Sequence, residues 1–76
     1  EKDQYNEMLM IGLRTIWGVD LEKLHEKFSG EILEIFKNSI QPKLEEEILV
    51  VEENHLKITK KHWFLADGIA SDLFIL

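Results

Sequence analysis

The spacing of apolar residues changes once along this chain, and that change most constrains what it can fold into. From Tyr5 to Leu44 apolar side chains recur at helical spacing, whereas from Leu49 to Ile58 they form two short runs around the polar Glu52, Glu53, Asn54 and His55. The first pattern places a stripe on one face of each of several helices. The second reads as two short strands about a turn, with Asn54 the residue best suited to positive φ. An α+β domain, mostly helical, follows.

The strongest stripe is Tyr5, Met8, Leu9, Gly12, Leu13 and Ile16, expected to be the core helix. Asp3 is its expected N-cap, Glu7 lies a turn later near the positive end of the dipole, and the helix should run to about Trp17, with Gly18 as its stop. Asp20 then caps a short second helix in which Leu21, Leu24, His25 and Phe28 share a face. Ser29 and Gly30 break the pattern before a third helix that buries Ile32, Ile35, Phe36 and Ile40. Pro42 lacks an amide donor, so a boundary or kink is expected at Gln41, with Pro42 opening another turn that carries Leu44 and Ile48. After the hairpin, Thr59 is expected to cap a last helix with Trp63, Ala66, Ala70, Leu73 and Phe74 on one face. Gly68 weakens that helix, either to admit another backbone or as a tolerated soft spot. Helix, helix, helix, hairpin, helix is a winged-helix-like order: a three-helix core with a β-hairpin and a C-terminal helix.

With 76 residues, the chain has room for a single modest core, burying about 60% of its unfolded surface. No apolar run approaches the roughly 20 residues that span a bilayer, and no basic leader precedes a hydrophobic stretch, so a cytoplasmic domain without a membrane span is expected. The chain has no cysteine, which removes disulfides, thiolate nucleophiles and sulfur ligation of metals. His25, His55 and His62 stand at no metal-ligand spacing, and Ser29, Ser39 and Ser71 lie in no glycine-rich elbow. The four glycines are isolated, so no phosphate-cradling loop is present. A net charge of −6 and a third helix offering Lys37 and Lys43 against Glu31, Glu34 and Glu45, Glu46 and Glu47 oppose nucleic-acid binding, although the winged-helix order would suggest it.

Three features exceed what a solvated small domain requires. On a helix reaching Trp17, Met10, Arg14 and Trp17 share a second face, to be covered by a neighbouring segment or by protein outside this chain. Lys60, Lys61 and His62 form the only local basic cluster, at a helix start: a solvated turn or a site for an anion. Asp67 falls near Trp63 and Phe74 on an apolar face and calls for a partner, with Arg14 the candidate.

The run DQYNEMLMIGLRTIWGVDLEKL over residues 3–24 and LKITKKHWFLADGIASDLF over residues 56–74 resemble the C-terminal domain of oxygen-independent coproporphyrinogen III oxidase and of its close relative, a haem chaperone of the same radical S-adenosylmethionine family. GLRT at residues 12–15 and LADGIASDLF at residues 65–74 carry the resemblance most specifically.

The resemblance implies that residues 1–76 are one C-terminal accessory domain of a larger protein. Its catalytic barrel would bind a 4Fe-4S cluster and S-adenosylmethionine and oxidatively decarboxylate coproporphyrinogen III in haem biosynthesis. It implies no catalytic, cofactor-binding or metal-binding residue in this chain. It supplies a cover for Met10, Arg14 and Trp17, namely the barrel of the same polypeptide. Arg14 alternatively suits a propionate of substrate or haem, since a guanidinium pairs with a carboxylate, and Lys60, Lys61 and His62 share that contact role. The haem-chaperone reading and an independent winged-helix interaction module are the alternatives.

Overall fold

In the computed structural model, which describes residues 2–75, the chain forms α1 (Lys2–Leu13), β1 (Val19–Asp20), α2 (Leu21–Lys27), α3 (Glu31–Glu45), β2 (Leu49–Glu52), β3 (His55–Ile58), a 3-10 helix (Lys60–Leu65) and α4 (Ala66–Asp72). The architecture is α+β and mostly helical, as the apolar spacing indicates: three helices, a hairpin and a C-terminal helix.

The core is built on α1. Tyr5, Leu9 and Leu13 are buried along it, joined by Leu24, Phe28, Phe36, Leu56, Ala70 and Leu73. The Tyr5 ring meets Phe28 and Phe36 edge-on, with centroids 5.7 and 6.2 Å apart, the arrangement that places a ring's positive edge against a neighbour's negative face. Its hydroxyl donates to the Leu73 carbonyl at 3.3 Å. One residue on, Asn6 clasps the backbone of Ile75, donating to its carbonyl and accepting from its amide, both at 2.9 Å. Two adjacent polar groups of α1 thus hold the segment that leaves α4.

The helix ends earlier than its apolar spacing suggests. The Thr15 hydroxyl and amide both donate to the Gly12 carbonyl, at 2.9 and 3.2 Å, and the hydroxyl accepts from the Gly18 amide at 3.2 Å. A threonine that bonds backbone locally competes with the helical ladder, so residues 14–17 leave the helix. Ile16, expected on the buried stripe, is therefore 65% exposed, and Met10, Arg14 and Trp17 do not share a helical face. At the other end Asp3 lies inside the first turn and is not the N-cap.

The turn delivers the chain into β1, a short strand that apolar spacing does not reveal. Val19 pairs with Leu56 and Asp20 with His55, which extends the hairpin to three antiparallel strands in the order β1, β3, β2. Two glycines permit this. A Cβ on Gly12 would stand 2.7 Å from Val19 Cγ2, and Gly18, at φ +78°, passes against the Leu56 carbonyl with no room for a side chain. Asp20 also caps α2, accepting from the Lys23 amide at 3.1 Å. The hairpin turn takes positive φ at both Glu53 and Asn54, the combination a two-residue turn of the favoured twist requires.

Three further expectations are corrected. Pro42 neither ends nor restarts α3, which continues to Glu45. Pro42 and Asn38 are both exposed, so the carbonyl that proline leaves without an amide donor lies on the solvent side of the helix, where the loss costs least. The helix is closed instead by Glu47, at φ +62°, with the Glu47 amide bonding the Leu44 carbonyl at 3.1 Å and the Ile48 amide bonding Lys43 at 2.9 Å. That pair of bonds is the usual left-handed helix exit. His25 points outward, its Nδ1–H donating to the Leu21 carbonyl at 2.6 Å. Thr59 precedes a 3-10 helix and caps it with no side-chain bond; its hydroxyl lies 3.0 Å from the Glu47 carbonyl and 3.2 Å from that of Ile48. Gly68 meets open space, which favours the tolerated soft spot over close backbone approach.

Candidate functional site

The residues singled out by sequence fall into two groups. Met10 is half-buried and packs against the core. Arg14 and Trp17 lie in the turn after α1, both exposed. Lys60, Lys61 and His62 occupy the first half of the 3-10 helix.

These two segments meet. Arg14 Nε and Nη2 each lie 2.8 Å from Asp67 Oδ1, tying the end of α1 to the first turn of α4. The pairing expected for Asp67 is present, but its reason differs. With 70% of the Asp67 side chain and 55% of the Arg14 side chain exposed, the pair is a surface strap and does not rescue a buried charge. Beside it, Ile16 and Trp63 line one groove of about 450 Å³ together with Val50, Lys57 and Lys60. Val50 and Lys57 are cross-strand partners, so the groove lies along the hairpin's outward face.

Large exposed apolar side chains are concentrated in these two segments. Among the described residues six are exposed, and four of them, Ile16, Trp17, Phe64 and Leu65, come from these two segments; Phe64 is 84% exposed. Singly scattered exposed apolar residues are ordinary on a protein surface, whereas these four fall in two short segments. Ile16, Phe64 and Leu65 escape sequence reasoning. The signal for the latter two was the run Trp63, Phe64, Leu65, three consecutive large apolar residues that one helical face cannot bury together.

His62 is the most constrained polar group here. The Thr59 hydroxyl directs its proton to the Glu47 or Ile48 carbonyl, so it accepts from His62 Nδ1–H at 2.9 Å. That bond holds the ring against the chain and leaves Nε2 as its free nitrogen. On the other edge of the sheet, His55 Nε2 stands 4.0 Å from Asp20 Oδ2, and no three His, Asp or Glu side chains converge as a metal site among the described residues. With no cysteine in the chain, nothing here fits an iron-sulfur cluster. No helix among the described residues is long and apolar enough to cross a membrane.

What this geometry offers is an α+β domain with a structural core and one apolar seam. Compared with known families, residues 1–65 match the HemN C-terminal domain. The chain belongs to that family, in agreement with its resemblance to the C-terminal domain of oxygen-independent coproporphyrinogen III oxidase. Comparison with curated proteins and with solved structures returns no significant match.

The two segments that carry the resemblance acquire physical roles. In GLRT, Gly12 admits Val19, Leu13 is buried, Arg14 ties α1 to α4, and Thr15 ends the helix. In LADGIASDLF, Ala66, Ile69, Ala70 and Leu73 face the core, while Asp67 and Asp72 pair with Arg14 and Lys43. The two motifs meet through the bond between Arg14 and Asp67, beside the seam.

Proposed function

We propose that residues 1–76 are the C-terminal accessory domain of a coproporphyrinogen III oxidase-like radical S-adenosylmethionine protein. It packs against the catalytic barrel of the same polypeptide through the seam of Ile16, Trp17, Phe64 and Leu65. The observation that carries this reading is the concentration of exposed apolar side chains at a corner braced by the bond between Arg14 and Asp67. Holding such groups in water is unfavourable by about 25 cal/mol per Å², so the corner is finished when another surface covers it. The domain's contribution is binding and positioning, and the reacting groups belong to the barrel, with its 4Fe-4S cluster and S-adenosylmethionine. The same seam serves a haem-chaperone parent equally well.

The test uses Trp17 as its own reporter. In a Trp63→Phe background, acrylamide quenching of Trp17 is expected to be strong in the isolated chain and several-fold weaker in the intact parent. Equal quenching in the two would reject the docking face. Titration of haem into the isolated chain supplies the alternative outcome: a saturable Soret shift abolished by Arg14→Ala or His62→Ala would make the seam part of a tetrapyrrole site.

A further inference from the structure

Charge at the seam runs against charge in the chain. The protein carries a net charge of −6, yet the charged residues lining the groove, Glu52, Lys57 and Lys60, together with the adjacent Lys61 leave a local excess of positive charge. Arg14 and Lys57 are each matched by one carboxylate, Asp67 at 2.8 Å and Glu52 at 3.3 Å. Lys60 and Lys61 make no ion pair among the described residues, although Lys60 lines the groove beside Ile16 and Trp63. A surface that covers the apolar groove also strips water from the Lys60 ammonium, and a buried cation without a counter-charge is strongly unfavourable.

We infer that the occupant of this face is a protein surface that is apolar at its centre and carries carboxylates opposite Lys60 and Lys61. This rests on the docking reading above and specifies the partner's chemistry. A second copy of the chain fits poorly, because a two-fold contact places the same patch on itself and sets lysines against lysines. An anionic membrane is opposed by the charge of the rest of the chain. An acidic rim meets the lysines and, at the same time, orients the domain before the apolar contact closes.

Hydrogen exchange in the intact parent tests this. Amides of residues 14–18 and 60–65 are expected to exchange more slowly there than in the isolated chain. Raising salt from about 50 to about 500 mM, which shortens the screening length, should speed their exchange in the parent. Lys60→Glu with Lys61→Glu should accelerate it by about tenfold and remove the salt dependence, with the neutral Lys60→Gln and Lys61→Gln pair intermediate. Unchanged exchange in β3 confirms that the variants fold. Protection indifferent to salt and to charge reversal overturns the acidic partner while leaving docking intact. Absence of protection in the wild-type parent overturns docking itself, and this inference with it.

Discussion

Two stretches of α1 and its exit are equally apolar in sequence and meet opposite fates. Tyr5, Leu9 and Leu13 are at most 1% exposed, whereas Ile16 and Trp17, only a few residues on, are 65% and 70% exposed. Hydrophobicity does not separate them; continuity of the helix does. Residues three and four apart return to one face only while the helical ladder persists, and Thr15 ends it by taking the Gly12 carbonyl. The same contrast recurs at the other half of the corner. Ala66, Ile69 and Ala70 of α4 are buried, but Phe64 and Leu65 of the preceding 3-10 helix are exposed. The lesson is that apolar side chains are left exposed where two helices stop being α-helices.

The sharpest way to break this contrast is to truncate one phenylalanine from each side. Phe36, 2% exposed, packs on Tyr5, and Phe64 is 84% exposed. Phe36→Ala should cost about 3–5 kcal/mol, a large part of the roughly 4–11 kcal/mol expected for a chain of this length. Phe64→Ala should change the stability of the isolated chain by less than about 0.5 kcal/mol. Urea unfolding followed by far-UV circular dichroism measures both. Similar losses in the two variants would show that Phe64 belongs to the core and that no face is left for a partner.

How much of this was legible in the sequence follows from the same distinction. The α1 stripe as far as Leu13, the burial of Phe36 and Ile40 in α3, the Asp20 cap and the Asn54 turn all rest on local rules, and local rules delivered them. Ile32 and Ile35, by contrast, are only partly buried. β1 was hidden because its two residues pair with β3 far along the chain, through a close approach that Gly12 and Gly18 permit. Pro42 misled because a missing amide matters less on an exposed face than in a buried one. At the site, the partnership of Arg14 with Asp67 could be read from residue chemistry, but its exposure could not. Ile16 was assigned to the core by a period that the helix does not complete.

Titration probes the buried half more gently. Tyr5 is the chain's only tyrosine, and burial pushes its phenol up to about 12. An unfolded chain ionises this group near pH 10. The folded state therefore keeps a proton that the unfolded state has released, so the stabilisation is whole below about pH 10 and is lost as pH climbs toward 12. The loss amounts to about 2–3 kcal/mol. Comparing wild type with Tyr5→Phe isolates it from lysines that titrate in the same range. The wild-type stability should fall more steeply with pH, and parallel profiles would show that the phenol is not buried as the fold requires.

The smallest effect lies at the seam and sharpens the comparison most. Arg14 and Asp67 join the two exits, but both are largely in water, where such pairs couple by about 0.2–1 kcal/mol. A double-mutant cycle with Arg14→Gln and Asp67→Asn on the isolated chain should return a coupling in that range. A strictly additive cycle would show that the bond does not brace the corner. Repeating the cycle on domain docking in the intact parent asks a different question of the same pair. If the seam is covered there, water is withdrawn from the bridge, charge interactions strengthen as the local dielectric falls, and the coupling should exceed its value in the free chain. A coupling no larger in the parent would place Arg14 and Asp67 outside the contact. The docking surface would then narrow to Ile16, Trp17, Phe64 and Leu65, leaving the bridge to hold the two chain segments in register beside it.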